Sequence, residues 1–145
     1  MSYYQDILFK IFENKKGISI VQGAEYSQEV YNNFIFDGNV INWNKHKKGR
    51  VNITLEFNNE KRIEKIIDES IRLILKNSVF LNKKIIYFSD DCFDEEVIFD
   101  NFYILDNYIK NLTENFPQRG YYTDENANWC LCLREHSMID FAFSV

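Results

Sequence analysis

The sequence predicts an α+β domain with a mainly antiparallel sheet and about three helices packed against it. Two β-rich runs flank the pair Asp37-Gly38, and such a pair between strands is typical of a tight hairpin. Residues 51–57 alternate apolar and polar side chains, which is the pattern of a strand with one buried face. Residues 58–77 carry apolar side chains at helical spacing. Hairpins mixed with helices indicate the α+β class.

The length and composition indicate one globular domain over residues 1–145. A chain of 145 residues is the size of a single domain that buries its own core. Its thirteen Phe, nine Tyr and two Trp predict a core dominated by aromatic packing. One proline and five glycines leave little room for a linker.

Periodicity and turn residues give the order of the elements. The predicted order begins with a helix over 2–17, with Ser2 as its cap and Gly17 at its end, and a strand over 18–23. Hairpin strands near 33–36 and 39–43, a strand over 50–58 and the helix over 58–77 follow. The last predicted elements are a central strand over 83–89, a helix over 94–116 stopped by Pro117, and two strands around 134–137. Residues 121–128 are assigned to a turn, and residues 24–33 remain ambiguous. The stripe of the helix over 58–77 consists of Ile63, Ile66, Ile67, Ile71, Ile74 and Leu75.

Three observations predict a cytoplasmic protein. No apolar run is long enough to cross a bilayer, so no membrane association is predicted. The N-terminal residues lack the basic, apolar and small-residue regions of a secretory signal. Three cysteines, Cys92, Cys130 and Cys132, are an odd number in a chain that does not need disulfides, which indicates reduced and partly buried thiols.

Charge is distributed unevenly along the chain. Residues 1–88 hold 14 Lys and Arg against 10 Asp and Glu, whereas residues 89–145 hold 3 against 12. The net charge is −5. An acidic pole of this kind steers a basic partner and argues against binding of nucleic acid by the whole protein.

Five carboxylates lie within residues 90–96: Asp90, Asp91, Asp94, Glu95 and Glu96. Capping of the helix over 94–116 would explain two or three of them. A calcium loop would need a central glycine and alternating ligands, which this stretch lacks. An acid–base pair would need two carboxylates in different environments, and nothing in the sequence separates them. A helix start that doubles as a charged docking surface fits the cluster best.

Other candidate sites have weaker support in the sequence. Cys130, Cys132 and His136 would supply three zinc ligands, but a structural site needs a fourth ligand and the usual CxxC turn is missing. His46 and Trp43 lie in a basic turn, which either contacts a phosphate backbone or is the solvated end of a hairpin, and the second interpretation is favoured. No nucleotide-binding or protease motif is present. No catalytic residue, metal or cofactor is therefore predicted, and the chain is not expected to be an enzyme.

The chain resembles the immunity proteins of bacterial polymorphic toxin systems, including contact-dependent growth inhibition. The resemblance covers its size, its acidic character, its aromatic richness and the closing segment NANWCLCLREHSMIDFAFSV. It implies a cytoplasmic protein that binds one cognate toxin domain and blocks the toxin's active site or another surface that the toxin needs.

A charged interface is consistent with that use. Nuclease toxins are basic because they bind phosphates, so carboxylates can occupy such a site, and complementary charge raises the association rate. In this hypothesis the carboxylates rim the interface and the aromatic side chains anchor it. The predicted partner-binding residues are Asp90, Asp91, Phe93, Asp94, Glu95, Glu96, Tyr121, Tyr122, Asp124, Glu125 and Trp129.

Two alternatives remain open. An adaptor or regulatory module would use the same acidic face on an endogenous partner. A small hydrolase or transferase would instead have a deep pocket lined by His136, Cys132 or the pair Asp90 and Asp91. A pocketless acidic surface favours binding, whereas a cleft of converging polar groups favours catalysis.

Overall fold

The computed structural model describes residues 2–55, 61–76, 82–90, 92–116, 119–134 and 138–144. The side chains of Arg62, Ile63, Ile74 and Leu75 lie outside that description, as do Asp91, Pro117 and His136. The described part contains a seven-stranded antiparallel sheet, a separate two-stranded hairpin and five α-helices. The predicted α+β class and antiparallel sheet are confirmed, and the described helices exceed the three that were predicted.

Five α-helices and nine strands are interspersed along the described residues. The helices are α1 (Tyr3–Phe12), α2 (Ser27–Asn33), α3 (Arg62–Lys76), α4 (Phe102–Asp106) and α5 (Ile109–Asn115). The strands are β1 (Ile18–Val21), β2 (Phe36–Asp37), β3 (Val40–Ile41), β4 (Val51–Thr54), β5 (Ile85–Ser89), β6 (Glu96–Phe99), β7 (Gly120–Thr123), β8 (Trp129–Arg134) and β9 (Met138–Phe143). A single 3-10 turn covers Trp43–Lys45. Among the described helices, none has the length and apolar character needed to cross a membrane.

The sheet has the strand order β1-β6-β5-β7-β8-β9-β4, and both of its faces are covered. Successive side chains of a strand point to opposite faces. The first face packs against α1, α3, α4 and α5 and forms the main core around Trp129, Tyr122 and Phe99. The second face packs against α2 and the β2–β3 hairpin, where Val30 and Phe34 belong to a smaller core. The α2 helix therefore lies on the far side of the sheet from the other four.

Local sequence signals account for the elements that were predicted correctly. Ser2 caps α1 by accepting a hydrogen bond from the Gln5 N–H at 3.2 Å, and the Gln5 side chain accepts one from the Ser2 N–H at 2.9 Å. The pair Asp37-Gly38 lies in the β2–β3 hairpin, where Asp37 pairs with Val40 and the turn consists of Gly38, at a φ of 62°, and Asn39. The closing strands β8 and β9 pair along their whole length.

The helix predicted over residues 94–116 is wrong at its beginning. Residues Glu96–Phe99 form the strand β6, which is buried on both faces between β1 and β5. The helical segment starts only after Asn101, whose side chain accepts a hydrogen bond from the Ile104 N–H at 3.1 Å. The apolar residues after position 101 then pack on the main core from two short helices, α4 and α5. The proposed stop at Pro117 lies outside the described residues.

The turn predicted over residues 121–128 is wrong in its first half. Tyr121, Tyr122 and Thr123 belong to β7, an interior strand between β5 and β8. The turn begins at Asp124, whose carboxylate accepts a hydrogen bond from the Asn128 N–H at 2.7 Å. The polar residues after Thr123 thus mark the end of a strand.

Candidate functional site

The acidic cluster connects β5 to β6 and does not begin a helix. Glu95 is only 1% exposed, and both of its carboxylate oxygens accept hydrogen bonds from the Gln5 side-chain amide, at 2.9 and 3.0 Å. Gln5 belongs to α1, so Glu95 fastens this connection to the first helix. The expectation that Glu95 lies on an exposed interface rim is wrong.

Glu96 caps a helix, but the helix is α2 and it lies far away in the sequence. The Glu96 carboxylate is 1% exposed and accepts hydrogen bonds from the backbone N–H groups of Tyr26, at 2.9 Å, and Ser27, at 2.6 Å. Tyr26 is the N-cap residue of α2 and offers no side-chain cap of its own. A carboxylate at a helix N-terminus satisfies unpaired N–H groups and opposes the helix dipole. The predicted exposed position of Glu96 is therefore also wrong.

The other carboxylates of the cluster have separate positions. Asp90 accepts a hydrogen bond from the Tyr121 hydroxyl at 3.0 Å and forms a salt bridge with Arg119, whose Nε lies 3.2 Å from the carboxylate. Asp94 is exposed, and Asp91 lies outside the described residues. Of the four described members, only Asp94 is fully available to a partner, so the cluster does not form the continuous acidic rim that the sequence suggested.

The predicted aromatic anchors are core residues. Phe93, Tyr122 and Trp129 pack in the main core, and Tyr121 packs in the smaller core, stacked on Phe88 with ring centroids 4.8 Å apart. Burial raises the pKa of Tyr121 and Tyr122. Their predicted placement on the surface is wrong, because no partner reaches these rings while the sheet is intact.

Asp124 and Glu125, both in the turn after β7, differ in their exposure to solvent. Asp124 is buried and accepts two hydrogen bonds from Asn128, at 2.7 and 2.8 Å. The prediction that Asp124 extends an exposed acidic surface is therefore wrong. Glu125, the next residue, is exposed as expected.

The three cysteines are free and buried, which confirms the predicted thiols. Cys130 and Cys132 share the second face of the sheet, opposite Trp129 and Leu131, as their spacing predicted. Burial raises the pKa of both thiols, so they stay protonated. Within the described ranges, no three or more His, Cys, Asp or Glu side chains come together as a metal site would require. His136 lies outside those ranges.

His46 is buried, so its predicted position in a solvated turn is wrong. Its Nε2 accepts a hydrogen bond from the Ile35 N–H at 3.0 Å, and its ring lies against Phe34 with centroids 4.7 Å apart. Burial lowers the pKa of His46, a backbone hydrogen bond with Phe143 opposes that shift, and the positive charge of Arg50 adds to it. The neutral imidazole thus joins the hairpin layer to the sheet.

We expect His46 to make the protein sensitive to acid. Its folded-state pKa is lower than its ordinary value of 6.5, so its contribution to stability is complete above that pH and is lost as the pH falls below it. Urea unfolding at about pH 7.5 and about pH 5.5 measures this. The loss of unfolding free energy between the two should be larger for the native protein than for His46→Gln. Equal losses would contradict the prediction.

An exposed surface of a different kind lies on the layer formed by α2 and the β2–β3 hairpin. Residues 17–44 contain three carboxylates and no Lys or Arg. Two apolar side chains of the layer are strongly exposed, Tyr31 at 46% and Ile35 at 43%. We call this the α2 surface and define it as Glu25, Glu29, Tyr31, Ile35, Asp37 and Glu125.

Contacts inside the layer hold this surface in place. The Tyr31 ring lies against Phe36, with centroids 4.7 Å apart. Burial raises the pKa of Tyr31, the negative charge of Asp90 raises it further, and the positive charge of Arg119 lowers it. The ion pair of Asp90 and Arg119 therefore lies near the α2 surface. The Asn33 side chain donates to the Asn126 carbonyl at 2.8 Å, which joins the turn that carries Glu125 to α2. The sequence signal that was missed is the long stretch without a basic residue.

The comparisons with known proteins place the chain in no family. No protein-family model matches it, and no curated protein matches it either. The fold and the α2 surface therefore define its class: an α+β protein with an acidic and aromatic layer on one face of an antiparallel sheet.

Proposed function

We propose that this chain is a non-catalytic immunity protein of the cytoplasm, which binds a basic toxin domain through the α2 surface and neutralises it. The observation that carries the proposal is the exposure of Tyr31 and Ile35 in a layer that has three carboxylates and no Lys or Arg. Exposed apolar side chains within an acidic surface fit a partner that is basic and has an apolar centre.

The two kinds of side chain have different roles in such a complex. Tyr is enriched among the residues that dominate binding energy, because a large ring with few rotatable bonds loses little entropy on contact. Tyr31 and Ile35 are the anchors in this proposal. Carboxylates such as Glu29 act at longer range, where they raise the association rate with a basic partner.

The attachment of the layer supports the proposal. Val30 and Phe34 pack into the smaller core, and Glu96 holds the first N–H groups of α2. A surface that is already ordered pays less entropy on binding than a surface that must be ordered by its partner. Fast and tight capture is what neutralisation of a toxin requires.

A growth-rescue selection tests the proposed function. Fragments of the genome that encodes this chain are expressed from an inducible promoter in a bacterial host, with and without the chain. We expect at least one fragment to arrest growth only when the chain is absent, and its basic product to bind the chain one to one. If no arrest is relieved, the immunity function is wrong.

The same toxin domain then tests the α2 surface. Tyr31→Ala should weaken binding by about 2 kcal/mol, or roughly thirtyfold. The matched control is Tyr103→Ala, because Tyr103 is an exposed aromatic residue of α4 on the other side of the sheet. Glu29→Gln should slow association and weaken its salt dependence, while Glu13→Gln at the exposed end of α1 should not. Equal effects of Tyr31→Ala and Tyr103→Ala would contradict the assignment of the surface.

A further inference from the structure

A cleft of about 480 Å³ lies between the β2–β3 hairpin and the β4 end of the sheet. Its walls include Asp37 and Trp43, and residues of β4, β8 and β9 also line it. Asn52 of β4 pairs with Asp140 of β9, so both side chains point to the second face of the sheet. The apolar residues of β4, β8 and β9 that belong to the main core point to the first face of the sheet, away from the cleft.

Asp140 gathers two arginines at the floor of this cleft. Its side chain is 1% exposed, and its Oδ1 lies 2.7 Å from Arg50 Nη2 and 2.8 Å from Asn52 Nδ2. Its Oδ2 lies 3.3 Å from Arg134 Nη2. The two guanidinium groups share this one buried carboxylate, and Asp37 on the wall of the cleft carries a second negative charge.

Both guanidinium groups reach the cleft. The Arg50 and Arg134 side chains remain 26% and 38% exposed, whereas the carboxylate beneath them is closed off. Arg50 also donates to the Val51 carbonyl and lies over the Trp43 ring, 5.1 Å from its centroid. These contacts fix its orientation, and a guanidinium has five N–H donors in a rigid plane. At the floor of the cleft a ligand therefore meets partly exposed N–H groups, and the Asp140 carboxylate lies closed off beneath them.

We propose that this cleft binds the phosphate or carboxylate group of a small anionic ligand. Two fixed guanidinium groups match the paired oxygens of such a group, which arginine binds in bidentate geometry. The side-chain amide of Asn44, which lines the cleft, adds a polar donor. The volume falls in the ordinary range for small-ligand sites. The site needs no partner protein, so it stands or falls separately from the proposed function.

A network that only stabilises the fold is the competing explanation. Buried ion networks often stabilise a protein no more than apolar residues of the same size would. Apolar residues would cover this part of the sheet as well, yet the chain places two arginines, two aspartates and three asparagines here. The purely structural explanation predicts no ligand, and the binding site predicts a saturable one.

Titration of the purified chain at low ionic strength decides between them. Inorganic phosphate and succinate are titrated separately, with calorimetry and the NMR signals of the Asn side-chain amides as readouts. We expect one-to-one saturable binding of at least one probe, with shifts at Asn44 and Asn52. The arm that binds identifies the group, phosphate or carboxylate, that the cleft accepts.

Variants that leave the Asp140 network intact keep this test independent of folding. Asn44→Asp adds a negative charge to the cleft wall and should weaken binding about tenfold. Asn111→Asp makes the same change on α5, across the sheet, and should have no effect. Asp37→Asn removes an existing negative charge, which the Asn42 amide contacts at 2.9 Å, and should strengthen binding. No saturable binding of either probe, or equal effects of Asn44→Asp and Asn111→Asp, would overturn the site.

Discussion

Replacement of Glu96 by alanine should lower the free energy of unfolding by about 3 kcal/mol, because two backbone N–H groups, one buried and one part-buried, lose a charged acceptor at once. Those groups belong to Tyr26 and Ser27, at 2.9 and 2.6 Å from the carboxylate, and no side chain of the α2 N-cap replaces it. Glu96→Gln should cost less, since its amide oxygen still accepts one of the two bonds. Chemical unfolding measures both values.

The matched control for Glu96 is its exposed neighbour Asp94. Asp94→Ala removes the same charge from the same connection and should change stability by no more than about 0.5 kcal/mol. Glu96→Ala should also loosen α2, so hydrogen exchange of the α2 amides should rise more than that of the central strands. If both variants have the same stability, the capping role assigned to Glu96 is wrong.

Replacement of Asp140 by alanine should cost a similar amount, about 3 kcal/mol, for an electrostatic reason. Removal of one member of a buried ion network leaves the opposite charges uncompensated, which costs about 3–5 kcal/mol when the remaining charges are fully buried. Arg50 and Arg134 keep some contact with water, so we expect the lower end of that range. Asp106→Ala, at an exposed position of α4, controls for the loss of one charge.

A double substitution separates this charge effect from simple loss of packing. In the variant Asp140→Ala with Arg134→Met, one of the two guanidinium groups that Asp140 contacted is gone, so part of the lost stability should return. A thermodynamic cycle over the two single variants and the double variant measures the coupling. Strictly additive losses would mean that Asp140 acts through its packing alone.

The elements that the sequence predicted correctly depend on local chemistry. The capping box of Ser2 and Gln5 lies within one helical turn, and the turn at Gly38 and Asn39 joins the paired residues Asp37 and Val40. All the residues that make up such a signal lie within a few positions of one another in the sequence. The fold class follows from them, because hairpins and amphipathic helices already define an α+β protein.

The acidic cluster was misinterpreted because the partners of its members lie far away in the sequence. Glu95 contacts Gln5, and Glu96 contacts Tyr26 and Ser27, across separations of 69 to 90 residues. A short window shows only adjacent like charges before an apolar pattern, which is also how a helix begins. One of the carboxylates, Glu96, does cap a helix, but the fold decides which helix it caps.

The aromatic residues were misplaced for a different reason. Tyr and Trp are typical of both protein cores and binding interfaces, so their identity does not separate the two. Tyr121 and Tyr122 lie in a strand that is buried on both faces, and such a strand shows no alternation of polar and apolar side chains. Tyr31 was missed because α2 is short and its sequence was ambiguous.

The strand order has a consequence for synthesis on the ribosome. The five inner strands come from residues 85–143, whereas the two edge strands β1 and β4 come from the first 54 residues. Each edge strand leaves the ribosome well before the strand it pairs with, because Ile18 pairs with Phe99 and Val51 pairs with Phe141. Long-range pairings of this kind form slowly, and unpaired strands are prone to aggregate meanwhile. The β4 edge of the sheet therefore stays unpaired until β9 has been synthesised.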